Sequence, residues 1–94
     1  GNLALLQADL ADKGLGGICL FDPESLYWLT GYRSIGYFTF QCALVLPEGG
    51  PILVSRRVNR AVALGNENIA DFVAIEDTDD AVAILAQAIE TRVS

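Results

Sequence analysis

The sequence predicts an α/β fold. It reads as one domain over residues 1–94, with a mixed β-sheet flanked by helices in a three-layer-like arrangement. Three observations carry that expectation. Short apolar runs bounded by Gly, Pro or Asp, such as Gly17-Ile18-Cys19-Leu20-Phe21, have the length and composition of buried strands. Between them lie segments whose apolar residues recur three and four apart, the period of an amphipathic helix. Pro47-Glu48-Gly49-Gly50 has turn composition between two apolar runs, which is the pattern of a hairpin. Alternating strands and helices plus one hairpin imply parallel crossovers and an antiparallel pair in one sheet.

The elements follow in order. Leu3, Leu6 and Leu10 at helical spacing predict an opening helix that stops at Gly14. Residues 17–21 follow as a strand expected to be buried on both faces. Asp22 is an N-cap and Pro23 suits the first helical position, because the missing N–H would be unpaired there anyway. That helix runs Pro23–Thr30 and ends at Gly31, which tolerates the left-handed conformation. Phe40 to Leu46 reads as a second strand and Pro51–Val54 as a third. Ser55 is expected to cap a helix running to Leu64, with Gly65 as its stop, and Ile69 to Ile75 is a fourth strand. Thr78 is expected to cap a last helix with Asp79 and Asp80 in its first turn, where carboxylates favour the positive end of the dipole. Its apolar face is predicted as Val82, Leu85, Ala86, Ile89 and Val93. Residues 18–20, 43–45 and 72–74 are expected at the centre of the sheet.

Composition narrows the function. A hydrophobic fraction of 52% with 19% charged residues describes a folding chain, not a disordered one. A net charge of −6 argues against nucleic acid, whose phosphates an acidic surface repels. No apolar stretch is long enough to span a bilayer, so no membrane partner is expected. Cys19 and Cys42 lie in separate apolar runs without CxxC spacing and read as buried free thiols, which favours the cytoplasm. With no histidine in the chain, a His-containing metal site or triad within it is excluded. There is no methionine either, so the chain is expected to be cut from a longer reading frame.

Four clusters carry possible chemistry. Six rings fall between Tyr27 and Phe40, with Arg33, Ser34 and Gly36 among them. Core packing is the simpler account of Trp28, Phe38 or Phe40 taken singly. As a group, Tyr32, Arg33, Tyr37 and Phe38 suggest an exposed substrate edge or subunit interface, because rings with arginine make up interface centres. Arg56, Arg57 and Arg60 hold three of the six cationic residues; a solvated face explains them, and contact with an acidic partner is the alternative. Glu76, Asp77, Asp79 and Asp80 lack the spacing of a calcium loop and read as helix capping. Gly14, Gly16 and Gly17 precede a strand, the wrong place for a phosphate cradle.

Asp22-Pro23 followed by Trp28-Leu29-Thr30-Gly31-Tyr32 resembles a segment of the amino-terminal domains of the creatinase/prolidase metallohydrolases. Ser25 stands where that pattern has asparagine and Trp28 where it has tyrosine. Gly36-Tyr37-Phe38-Thr39-Phe40-Gln41 and Gly50-Pro51-Ile52-Leu53-Val54-Ser55-Arg56 resemble the family's next two blocks, in register. The resemblance covers essentially the whole chain. It implies a ribonuclease-H-like domain, followed in such enzymes by a catalytic pita-bread domain that holds two divalent metal ions between two Asp, one His and two Glu. None of those ligands matches a position here, so no cofactor is expected in this chain. What carries over is a supporting role: a homodimer in which the segment after Tyr32, with Arg33, Tyr37 and Phe38 at the matching positions, reaches the partner subunit's substrate. The sequence departs from the family after Arg56, where an acidic residue often follows and Arg57-Val58-Asn59 stands instead.

The resemblance therefore implies a non-catalytic dimerising and substrate-gating domain. Its parent would be an Xaa-Pro dipeptidase or aminopeptidase, or a related C–N hydrolase acting on creatine or ectoine. The alternative is a stand-alone sensing or interaction module of the same fold.

Overall fold

A computed structural model describes residues 1–32 and 40–93. Helix α1 spans Asn2–Lys13, and Gly14 ends it with φ 67°, a left-handed conformation open to glycine at no steric cost. Strand β1 is Ile18–Leu20. Helix α2 is Pro23–Thr30, as predicted; the Asp22 carboxylate accepts from the Ser25 N–H at 2.9 Å, and Gly31 turns left-handed at φ 75°. The hairpin strands β2 and β3 are Gln41–Val45 and Ile52–Arg56. A 3-10 turn over Arg57–Asn59 leads into the short helix α3, Arg60–Leu64. Strand β4 is Asp71–Ile75 and helix α4 is Ala81–Arg92.

The strands pair in the order β1-β2-β3-β4, with the first two junctions antiparallel and β3–β4 parallel. The mixed sheet of the predicted fold class is therefore present. Its centre differs from the expectation. β2 and β3 are the inner strands, whereas β1 and β4 each pair with one neighbour among the described residues. The burial follows. Cys42, Ala43, Leu44 and Val45 are at most 1% exposed, while every residue of β1 and the middle three of β4 are half-buried. Fully burying a side chain such as Leu44 contributes about 1.5–3 kcal/mol relative to leaving it in water.

Two clusters make the core, one on each sheet face. Leu10 of α1, Leu26 and Leu29 of α2 and Ala63 of α3 pack with Ala43, Val45 and Leu53. On the other face, Leu85 of α4 packs with Cys42, Val54 and Ile75, with Cys19, Ile84 and Ile89 at its margin. Helices on both faces give three layers. Gly50 shows how closely the hairpin approaches β4: a Cβ there would lie 2.7 Å from that of Ala70, whose N–H donates to the Pro51 carbonyl at 2.8 Å.

Three expectations about ends and faces are corrected. Ser55 is no helix cap. It lies inside β3, fully buried, and its hydroxyl donates to the Phe40 carbonyl at 3.3 Å. The last helix is capped by Asp80, which accepts from the N–H groups of Val82 and Ala83, and not by Thr78. Of the predicted apolar face Leu85 is buried, together with Ala88, whereas Val82 is 68% exposed and Ala86 also lies outside. Both thiols are free. Burial, reinforced by the neighbouring Cys19, pushes the Cys42 thiol far up and keeps it neutral.

Candidate functional site

The aromatic segment begins on α2. Leu26, Leu29 and Thr30 face the sheet and are buried, so Tyr27 and Trp28, one and two positions on from Leu26, are carried to the outer side. Trp28, expected in the core, is 47% exposed, and Tyr27 is 48% exposed.

Tyr32, expected at an exposed edge, is buried at 6% among the core residues of the α1–α2 face. The cause is local. After the left-handed Gly31, the Tyr32 N–H donates to the Thr30 hydroxyl at 3.0 Å, and that hydroxyl donates to the Leu26 carbonyl at 2.7 Å. The turn thus throws the ring inward, and burial raises the phenol's pKa. The Thr30 carbonyl is held from the far side by the side-chain amides of Asn66 and Asn68, both at 3.0 Å. This clasp between the end of α2 and the loop after α3 has no signature in the sequence beyond two asparagines in a turn. Arg33, Tyr37 and Phe38 lie outside the described residues. Phe40, just after them, is half-buried and stands edge-on to Phe21, with ring centroids 6.0 Å apart and planes at 75°.

The arginine cluster divides. Parallel pairing places Arg56 opposite Ile75, so the residues that follow β3 and β4 emerge side by side. Arg57 binds Glu76 in a fork, its Nε 2.9 Å from both carboxylate oxygens and an Nη 2.5 Å from one. Arg56 pairs with Asp77. The Arg57 guanidinium holds the Glu76 carboxyl below the usual range, and Glu76 in turn raises the Arg57 pKa. These exposed pairs are screened by water and add little stability. Their consequence is chemical: Arg56 and Arg57, read as a solvated face with an acidic partner as the alternative, already have carboxylates of their own. Arg60 is exposed and makes no ion pair with a described residue. The pairs line a cleft of about 370 Å³ with Val58 and Ile75. The signal missed in the sequence was the symmetry of two bases after one apolar run and two acids after the next.

The acidic cluster is likewise committed. Glu76 and Asp77 serve the arginines, Asp79 accepts from the Glu76 N–H at 2.8 Å, and Asp80 caps α4. Among the described residues no group of three or more His, Cys, Asp or Glu side chains could hold a metal ion. The carboxylates here therefore do not fit the two-metal set that the resemblance implies, and no chemistry is derived through one. No helix among the described residues is long and apolar enough to cross a membrane.

Helices on both faces of a four-stranded mixed sheet define an α/β domain of three layers. The chain belongs to the Creatinase/Prolidase N-terminal domain family, whose sequence pattern matches residues 3–94. It is 33% identical over 64 residues to the ectoine hydrolase of Halomonas elongata, an overlap of 68% of this chain and 16% of that protein. Among solved structures, the N-terminal domain of an Xaa-Pro dipeptidase from Lactobacillus brevis superposes with a TM-score of 0.86 at 18% identity, covering 98% of this chain and 69% of that one. A proline dipeptidase from Streptococcus pneumoniae gives 0.81 at 20% identity, covering 92% of this chain and 63% of that one. These structural likenesses establish the fold. The chain thus spans about a sixth of the curated relative and under two thirds of the streptococcal chain.

Proposed function

We propose that this chain is the non-catalytic N-terminal domain of a cytoplasmic, metal-dependent hydrolase, serving dimerisation and substrate gating. The parent's substrate is an Xaa-Pro peptide, as the names of the dipeptidases suggest, or a small molecule with a hydrolysable C–N bond of the ectoine or creatine kind. The observation that carries the reading is the family match over residues 3–94. In this reading the domain's partners are the parent's C-terminal catalytic domain, which would hold the two divalent ions, and a second subunit. Arg33, Tyr37 and Phe38 serve at that subunit's substrate pocket. Support comes from the root of their segment, where Gly31, the Thr30 hydroxyl and the buried Tyr32 fix the direction of the chain just before Arg33.

The test is made in the parent protein. Arg33→Ala should lower kcat/KM by about tenfold, the equivalent of 1.4 kcal/mol of transition-state binding, with an unchanged melting temperature. A large loss of stability with unaltered kinetics would make Arg33 structural and remove the gating role. For the chain alone, titration calorimetry with Mn²⁺ should give no stoichiometric binding. Chelator-sensitive turnover of an Xaa-Pro dipeptide by the chain would overturn its non-catalytic assignment.

A further inference from the structure

Cys19 and Cys42 are the two thiols of the chain, and the site described above uses neither. The register of β1 on β2 brings them together. Cys19 stands opposite Leu44, and Cys42 lies two positions further along that strand. Both side chains therefore project to one face of the sheet, on a diagonal between adjacent strands. There Cys19 packs against the cluster of Cys42, Val54, Ile75 and Leu85. Cys42 feels the Cys19 sulfur directly, as a charge and as a hydrogen-bond partner. Diagonal neighbours in an antiparallel pair have Cα atoms about 7–8 Å apart and Cβ atoms closer. A disulfide spans Cα separations up to about 6.8 Å, so a small shift closes the gap. β1 is three residues long and half-buried throughout, so it yields that shift more readily than the fully buried β2. The two sulfurs also differ in access, Cys19 being half-buried and Cys42 wholly enclosed.

We propose that this pair is a redox switch, in which a peroxide oxidises Cys19 and Cys42 to a reversible disulfide that staples β1 to β2. The accessible Cys19 reacts first. Its sulfur attacks one peroxide oxygen, the O–O bond breaks, and the second oxygen leaves as water with the thiol proton. Cys19 is then a sulfenic acid. The Cys42 sulfur attacks the Cys19 sulfur, the S–O bond breaks, and the hydroxyl leaves as water with the Cys42 proton. Each sulfur gives up one electron, and the peroxide is reduced to two waters. Burial makes Cys42 inert toward oxidants in solvent, so it stays reduced until its neighbour becomes the electrophile. The loop closed by the bridge holds all of α2 and the segment bearing Arg33, Tyr37 and Phe38. Oxidation thus ties the two ends of that excursion together and restricts the unfolded chain. The switch does not rest on the functional reading above.

Intact mass and peptide mapping of the chain, treated with a few equivalents of hydrogen peroxide, test it. The expected product is a monomer that has lost the mass of two hydrogens and yields a peptide pair joined through Cys19 and Cys42. It should keep its circular dichroism and melt several degrees higher, until dithiothreitol reverses both changes. Cys42→Ser should stop at a sulfenic acid on Cys19, trapped by dimedone. Cys19→Ser should leave Cys42 reduced under the same treatment. If either variant fails to fold, the joined peptides and the melting shift of the unaltered chain decide alone. Two unmodified thiols after treatment, oxygen adducts in place of the bridge, or cross-linked dimers would each overturn the proposal. So would a bridge that forms only as the circular dichroism is lost, or a Cys42 that oxidises equally fast without Cys19.

Discussion

At Thr30 one hydroxyl closes a helix and starts a turn. It donates back to Leu26 and accepts from the Tyr32 N–H, at 2% exposure. Thr30→Val keeps the shape, deletes both bonds and leaves that N–H unpaired. It should cost about 1–3 kcal/mol in urea unfolding, the usual penalty for stranding a buried polar group. Tyr32→Ala should cost about 3–5 kcal/mol, because its ring is core and the void cannot close around a turn already fixed at Gly31. Asp22 tests a different force. The Ser25 side chain and its backbone N–H hold the Asp22 carboxyl below the ordinary carboxylate range. A depressed folded pKa gives stability that is present above the unfolded value and lost as pH falls through the lower folded one. Asp22→Asn keeps an N-cap but cannot titrate. The stability advantage of the unaltered chain over this variant, measured by thermal unfolding, should therefore shrink as pH falls from about 7 into the carboxylate range.

Helix α4 separates what an element's own sequence shows from what only packing reveals. Leu85→Ala should cost about 2–5 kcal/mol, whereas Val82→Ala, on the wet side, should stay within about 0.5 kcal/mol of neutral. Equal losses at the two positions would mean that the helix is docked on a different stripe. The sequence exposed the limits of α2 because its cap, its proline and its glycine all act within one turn of where they stand. It misplaced the start of α4 by two residues because Thr78, Asp79 and Asp80 are all capable caps. The choice falls on Asp80, with Asp79 occupied by the Glu76 N–H. Strand order was hidden for a related reason. Hydrophobic runs at 18–20 and 72–74 look as central as the run at 43–45, and only the ladder shows that the first two are the outer strands among the described residues. The exchange of roles between Trp28 and Tyr32 belongs here too: the helix phase set by Leu26 and Leu29 carries Trp28 outward, and the turn at Gly31 brings Tyr32 in.

For the molecule as a whole, the pairing of Arg56 and Arg57 with Asp77 and Glu76 could not be read from spacing, because a parallel crossover brings residues about twenty apart to one rim of the sheet. Among the described residues the long polar ties are few. One of them has a kinetic consequence. The Gln7 side-chain amide donates to the Leu46 carbonyl at 3.0 Å and to the Gly49 carbonyl at 2.8 Å, roofing the hairpin turn with α1. β2 and β3 are joined by a short local turn, so their pairing closes a small loop and can form early. The Gln7 contacts span 39 and 42 residues and cannot form until that turn exists. α1 should therefore dock late. Gln7→Ala should speed unfolding several-fold in stopped-flow measurements and leave the refolding rate nearly unchanged, whereas Leu53→Ala, inside the hairpin, should slow refolding. The N-terminal helix then acts as the latch whose release sets the lifetime of the folded chain.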